Sequence, residues 1–296
     1  MMNRIFQSVV LLLFLSCVEN TKVNTMTVIQ GHVEDCMNSS YVPFSRFVNS
    51  SSEYFFLMYD EAEIRNQKFQ KGFDLNGTGI ITLGPSKYVP KTYFICEGGD
   101  NIHLEIHKDK SITFSGANAK GNNLFYNRLR GGKLDTYFKK ILIEKAISQK
   151  EALEIISKEK LSFLEPYEVL FKENEITKSF FTTAKAQIDA DFLTSLKRVL
   201  TYHMNNSSNI KLSNGDMKSI LQTIFTENDP FSEECKNIDL VSRTIISTAK
   251  CQLINQGILT GKPNDLGLWD YDRTENYYAP SELQEKMMAI DIMFNR

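Results

Sequence analysis

The spacing of apolar residues changes once along this chain, close to residue 117, and this change constrains the fold more than any other sequence feature. Before it, apolar and polar residues alternate, most clearly around Ile102, Leu104 and Ile106. A period of two is typical of a half-buried strand, whereas the spacing of three and four that follows is typical of an amphipathic helix. The sequence therefore predicts the α+β class, with an N-terminal antiparallel β-sandwich-like domain followed by an all-helical region.

Short strands fill the first part, and the β-domain is predicted to cover residues 26–118. The strands are predicted at 26–33, 53–59, 79–83, 93–96, 102–106 and 112–116. Asn76 and Gly77 indicate the turn of a β-hairpin that leads into the strand at 79–83. Short strands with turn residues between them favour a compact sandwich or a rolled sheet.

The helical region is predicted to cover residues 119–296 and begins where several glycines cluster. Helices are predicted around 134–156, at 175–204, 217–225 and 240–258, and after Pro280. Hydrophobic residues make up 42% and charged residues 24% of the chain, a composition that excludes a largely disordered protein.

Residues 1–16 are typical of a secretory signal peptide, because Arg4 precedes a short apolar run at 9–15. That run is too short for a transmembrane helix, which needs about 20 residues. The segment 14–17, Phe-Leu-Ser-Cys, resembles a bacterial lipobox, in which the cysteine is diacylated and becomes the first mature residue; Phe14 replaces the usual Leu. We therefore expect Cys17 to carry a lipid that anchors an exported protein to a membrane of the cell envelope, facing the periplasm or the cell surface. Residues 17–25 would form a polar tether; an ordinary signal peptide cut nearby is the alternative.

Four further cysteines, Cys36, Cys96, Cys235 and Cys251, would meet an oxidising compartment in an exported chain, where disulfides persist. Four cysteines allow three pairings. Pairs within each half, Cys36 with Cys96 and Cys235 with Cys251, are the simplest, but spacing does not establish them, and buried thiols remain equally open. The sequence has no Cys-x-x-Cys, which excludes a redox-active dithiol of the thioredoxin type.

A series of short motifs runs from residue 99 to residue 123: a Gly-Asp turn at 99–100, an alternating strand, a Phe-x-Gly strand end at 114–116, and Asn122-Asn123 leading into a helix. This series resembles the β-domain ahead of the thioredoxin module in TlpA-type thiol-disulfide oxidoreductases of Bacteroidetes. Residues 172–180 are similar to the helical stretch between the two modules. The resemblance implies an envelope protein in a thiol-redox setting. The catalytic Trp-Cys-x-x-Cys is absent from this sequence, so no catalytic residue is carried over.

Two polar clusters are candidates for metal sites. His103, Glu105 and His107 share one face of a strand, but the two histidines would lie about 13 Å apart, too far for a single ion. Zinc needs three or four convergent ligands, so a solvated polar face is the favoured interpretation. Asp74 and Asn76 begin a calcium-loop pattern, yet the twelfth position holds Pro85 in place of the bidentate Glu, and a turn explains the segment better.

Aromatic residues are most concentrated in a loop that holds Trp269, Tyr271, Tyr277 and Tyr278. Exposed aromatic rings beside carboxylates stack on sugars or hold a partner protein, and they also fasten long loops to a protein body. This loop is therefore a candidate binding site.

The sequence contains no motif of a nucleophilic, nucleotide-dependent or zinc-dependent enzyme, and we expect no cofactor. A formal net charge of -2 gives no electrostatic case for nucleic-acid binding. We therefore expect a lipid-anchored envelope protein with a non-catalytic binding or accessory role toward an unknown protein or glycan partner. Two alternatives stay open: the N-terminal part of a thiol-disulfide oxidoreductase whose catalytic module is missing from this chain, and a surface glycan-binding lipoprotein.

Overall fold

A computed structural model describes residues 26–36, 40–47, 57–75, 77–129, 134–143, 148–206 and 211–226. Eight strands lie between residues 26 and 116, and helices follow from Ala119 onward. This order of elements confirms the predicted α+β class. None of the helices in the described part combines the length and the apolar character that crossing a bilayer requires.

The strands are β1 (Met26–Val33), β2 (Ser40–Phe47), β3 (Leu57–Ile64), β4 (Lys68–Asp74), β5 (Thr78–Leu83), β6 (Thr92–Glu97), β7 (Asn101–Ile106) and β8 (Ile112–Gly116). The helices are α1 (Ala119–Leu129), α2 (Leu134–Phe138), which continues as a π-helical turn (Lys139–Ile143), α3 (Gln149–Lys172), α4 (Lys178–Asn206) and α5 (Asn214–Thr226). Ser148 caps α3 by accepting a hydrogen bond from the backbone N–H of Glu151. The predicted helices at 240–258 and after Pro280 lie outside the described residues.

The eight strands form two four-stranded sheets. The first sheet has the order β4-β1-β7-β8 and the second has the order β3-β2-β5-β6. All neighbours in the second sheet are antiparallel. In the first sheet, β1 pairs antiparallel with β4 and parallel with β7, and β7 pairs antiparallel with β8. The sandwich is therefore antiparallel except for this one central pair.

Aromatic rings join the two sheets across the core of the sandwich. The ring of Phe44 in the second sheet lies 6.0 Å from that of Phe69 and 5.4 Å from that of Phe73, both in the first sheet. Phe94 and Phe114 make an equivalent contact at 5.6 Å. All five side chains are buried, so the alternating pattern of each strand places its apolar residues between the sheets.

The helices pack on the outer face of the second sheet. Ile80 and Ile95 point away from the sandwich core and belong instead to the helical core, together with Phe125 of α1 and Phe180 of α4. The second sheet is therefore buried on both faces where these helices lie. On the outer face of the first sheet, polar side chains are half-buried or exposed. No helix of the described residues covers this face.

Two adjacent asparagines of α1 close one edge of each sheet. Asn122 is fully buried; its side-chain oxygen accepts from the N–H of Ile95 at 2.9 Å, and its amide donates to the carbonyl of Ile95 at 2.9 Å. Asn123 makes the same pair of 2.9 Å hydrogen bonds with Phe114. Ile95 and Phe114 lie on β6 and β8, which are the edge strands on one side of the sandwich. Backbone groups that an open edge would expose are thus satisfied by side chains.

The hairpin predicted at Asn76 and Gly77 is wrong. Gly77 has a φ of +90°, as a turn requires, but it lies between β4 of the first sheet and β5 of the second, so this turn crosses between the sheets. A two-residue turn at Asn66 and Gln67, closed by an isolated bridge between Arg65 and Lys68, joins β3 of the second sheet to β4 of the first. Strands β2 and β4 were not predicted, and of the strand predicted at 53–59 the structure describes only residues 57–59, as the start of β3.

Candidate functional site

Most of the predicted site residues lie outside the described residues: Cys17, Cys235, Cys251, Trp269, Tyr271, Tyr277 and Tyr278. Cys36 and Cys96 are described, and both are buried in the sandwich core. The disulfide pairings, the lipid anchor and the aromatic loop all stay predictions. The candidate site contains His103 and Glu105 of the predicted strand cluster, together with residues that the sequence did not single out.

Strand pairing collects polar side chains on the outer face of the first sheet. The registers of β1 with β4 and β7, and of β7 with β8, align them in two rows across the strands. One row is Lys68, His32, Glu105 and Thr113, and the next is Gln70, Gln30, His103 and Ser115. We call these eight residues the polar face; all are exposed or half-buried.

The carboxylate of Glu105 lies between two imidazole rings of the polar face. Its Oε1 is 2.5 Å from Nδ1 of His32, and its Oε2 is 3.7 Å from Nε2 of His103. The other ring nitrogen of His32, Nε2, is 3.0 Å from Oε1 of Gln67. The Glu105 hydrogen bond is the main reason why the pKa of His32 is raised above its ordinary value; burial opposes the shift.

His107 belongs to a separate pair at the end of the same strand. Its Nδ1 lies 3.1 Å from Oε1 of Glu34, and its Nε2 lies 3.0 Å from the hydroxyl of Thr113. Glu34 also accepts the backbone N–H of Lys108, and this bond, followed by that of His107, lowers the pKa of Glu34. The alternating spacing therefore places His103 near Glu105 but directs His107 to a different carboxylate.

A groove of about 730 Å³ runs over the polar face. It is lined by Gln30, Gly31, His32, Glu63, Arg65, Lys68, Phe69, Gln70, His103 and Glu105. On one side the guanidinium of Arg65 donates two hydrogen bonds, of 2.9 and 2.7 Å, to the same oxygen of Glu63, and these bonds lower the pKa of that carboxyl. Two acidic and two basic residues line the groove, so its charges balance when the histidines are neutral.

The structure describes both segments that the sequence offered as metal sites, apart from Asn76. Within the part of the chain that the structure describes, no group of three or more His, Cys, Asp or Glu side chains could hold a metal ion. Asp74 ends β4 and Gly79 lies within β5, so the calcium-loop pattern is divided between two sheets, and Asn76 is outside the described residues. The polar face carries glutamine amides, imidazoles and hydroxyl groups, all of which form hydrogen bonds.

The sequence indicated only in part that Gln30 and His32 of β1 belong to the site. Gln30 and His32 alternate with buried Ile29 and Val33, which indicates that both polar residues share one face of β1. Their meeting with Glu105, which is 73 residues away from His32 in the sequence, depends on the parallel pairing of β1 with β7. Nothing local in the sequence predicts that pairing.

Comparison with known proteins does not place the chain in a family. No protein-family model matches it, and no curated protein matches it.

Proposed function

We propose that this protein is a lipid-anchored protein of the cell envelope with a non-catalytic binding role, and that the groove over the polar face is its binding site. The observation that carries the binding role is the arrangement of Gln30, Gln70, His103 and Glu105 on a sheet face that no described helix covers. A site of this kind holds a ligand by hydrogen bonds and shape, and the protein acts by capturing or presenting that ligand.

The groove favours an uncharged, hydroxyl-rich ligand of the glycan class. Glutamine amides and neutral imidazoles both donate and accept hydrogen bonds, and so do sugar hydroxyls. The two carboxylates that line the groove, Glu63 and Glu105, are balanced by the cations Arg65 and Lys68, so with neutral histidines the groove has little net field to attract a strongly charged ligand.

Ligand binding is tested by saturation-transfer NMR with neutral oligosaccharides of glucose, mannose and N-acetylglucosamine. We expect His103→Ala and Gln70→Ala to weaken binding about tenfold, the loss that follows from one or two hydrogen bonds. Lys108→Ala is the matched control, because Lys108 is exposed close to the same sheet but does not line the groove. Equal binding by all variants, or a preference for peptides over these sugars, would contradict a glycan-binding groove.

Anchoring through Cys17 explains how such a face would be held near a membrane. The eight tether residues 18–25 separate Cys17 from β1 and span at most about 26–29 Å when extended. Two or three acyl chains on one cysteine hold a protein firmly at a bilayer, whereas one chain does so only marginally. The binding face would then operate within a few nanometres of the membrane surface.

The anchor is tested by metabolic labelling with an alkyne analogue of palmitate, followed by membrane fractionation. We expect Cys17→Ser to abolish labelling and to release the protein from the membrane fraction. Ser16→Ala, which keeps a small residue before the cleavage position, should retain both. Labelling of the Cys17→Ser variant would show that the leader is not a lipoprotein signal.

A thiol-redox accessory role is the second candidate, and the resemblance of residues 99–123 to the TlpA-type β-domain favours it. The test is the DNA that follows the codon for Arg296. A reading frame there that encodes Trp-Cys-x-x-Cys would support an oxidoreductase whose catalytic module is encoded separately. A downstream sequence without this motif would leave the binding role in place and remove the redox one.

A further inference from the structure

The two-residue turn beside the groove, Asn66–Gln67, has an unfavourable backbone conformation. Asn66 and Gln67 both have positive φ, at 50° and 63°, which is the pattern of a type I′ turn. Asparagine tolerates this region and glycine is usual at the second position, but glutamine adopts it rarely. Within the described residues, backbone hydrogen bonds between Arg65 and Lys68, and from Val33 N–H to the Gln67 carbonyl at 2.7 Å, hold the turn in place.

The side chain of Gln67 makes a further contact, to His32. Both ring nitrogens of His32 face oxygen atoms, Oε1 of Glu105 at 2.5 Å and Oε1 of Gln67 at 3.0 Å. A neutral imidazole has one N–H and donates to only one of two acceptors, whereas an imidazolium donates to both. Two oxygen acceptors around one ring therefore favour the imidazolium form of His32.

We propose that protonated His32 is a latch that fastens the Asn66–Gln67 turn to the first sheet, and that loss of its proton releases this side of the groove. The turn connects Arg65 and Lys68, both of which line the groove, so its release would alter the groove directly. The latch does not depend on what the groove binds.

Charged groups on the elements around His32 act on its proton. Glu105 on β7 and Glu34 beyond β1 attract the proton, and Lys68 on β4 lies next to His32 in the same row. His103 shares the Glu105 carboxylate, and Arg65 is paired with Glu63. The pKa of His32 is raised, so the latch is fully present below the ordinary value of 6.5 and is lost as pH rises through the higher folded value.

Two NMR measurements on the mature protein test the latch. Long-range ¹H–¹⁵N spectra report whether both ring nitrogens of His32 carry protons at pH 5.5. Hydrogen exchange reports the protection factors of the Val33 and Lys68 amides, which bond to the turn. We expect those protection factors to fall roughly two- to twelvefold between pH 5.5 and 8.5, as expected for the loss of one hydrogen bond.

The variants separate the latch from general pH effects. His32→Gln, which has no proton to lose in this range, should show protection that does not change with pH. His107→Gln is the matched control, since His107 contacts Glu34 rather than the turn, and it should behave as the wild type does. A singly protonated His32 at pH 5.5, or the same pH dependence in His32→Gln, would overturn the proposal.

Discussion

Among the described contacts, Asn122 is the one side chain that hydrogen-bonds to the backbone N–H and carbonyl of Ile95 in β6. Replacing it by leucine removes both hydrogen bonds and nearly preserves the side-chain volume. Asn122 and Ile95 are both fully buried, so water cannot replace the two hydrogen bonds of 2.9 Å. The substitution therefore leaves one N–H and one carbonyl of Ile95 buried without their partner.

The size of the effect follows from those two groups. A buried donor or acceptor left unsatisfied costs about 1–3 kcal/mol, and the apolar leucine side chain offsets part of this. We expect Asn122→Leu to lower the free energy of unfolding by about 2–4 kcal/mol. For a body of this size, each kcal/mol corresponds to about 2–4 °C, so the melting temperature should fall by about 5–15 °C.

Urea unfolding followed by circular dichroism at 222 nm measures this loss, and two variants calibrate it. Asn127→Leu alters an exposed asparagine of the same helix and should change stability by no more than about 0.5 kcal/mol. Asn122→Asp keeps an acceptor for the Ile95 N–H but offers no donor while ionised, so its stability should recover as falling pH protonates it. A loss below 1 kcal/mol in Asn122→Leu, or one equal to that of Asn127→Leu, would refute the role assigned to this side chain.

Two further predictions concern other packed positions. A Cβ on Gly31 would lie 2.6 Å from the carbonyl oxygen of Leu104 and 2.7 Å from the Phe69 ring, so Gly31→Ala should cost about 1–3 kcal/mol in urea unfolding. Gly72→Ala, whose nearest neighbour is the flexible side chain of Met26 at 3.1 Å, should be tolerated, and equal losses would contradict the close approach at Gly31. Burial raises the pKa of Asp100, whose Oδ2 accepts the N–H of Glu97, so the ionised carboxylate opposes folding. Asp100→Asn should therefore be more stable than the wild type at pH 7, and the difference should shrink as pH falls through the raised pKa toward 3.8; a constant difference would show that ionisation is not the cause.

The sequence predicted those strands whose apolar residues alternate cleanly. β1 has the predicted bounds, and β7 is extended by one residue, because each alternates buried and half-buried positions along its length. β2 was hidden by Pro43, which is unusual in an internal strand. The Pro43 carbonyl accepts the Gly84 N–H at 2.8 Å, so the polar backbone groups of this residue face β5 and not β3. The proline is tolerated there because the ladder of β2 with β5 runs only from Phe44 to Arg46.

In the candidate site, too, the sequence predicts which residues share a face of one strand but not which strands pair. Alternation places His103 and Glu105 on one face of β7, and His32 on one face of β1. Their meeting requires the parallel pairing of two strands far apart in the sequence, and the contribution of Gln67 requires a turn that its residue type disfavours. Pairing of this kind is decided by the packing of the whole sandwich, which no short window of sequence contains.

The position of Asn122 and Asn123 has a consequence for the modularity of the chain. One turn of helix completes an edge strand in each of the two sheets, so the sandwich and α1 should unfold together as one cooperative unit. A fragment cut after Gly116 would keep all eight strands but leave β6 and β8 without these side-chain partners, and we expect it to self-associate through those edges. The predicted domain boundary at residue 118 would then lie inside a single folding unit. The β-sandwich would fold only together with α1.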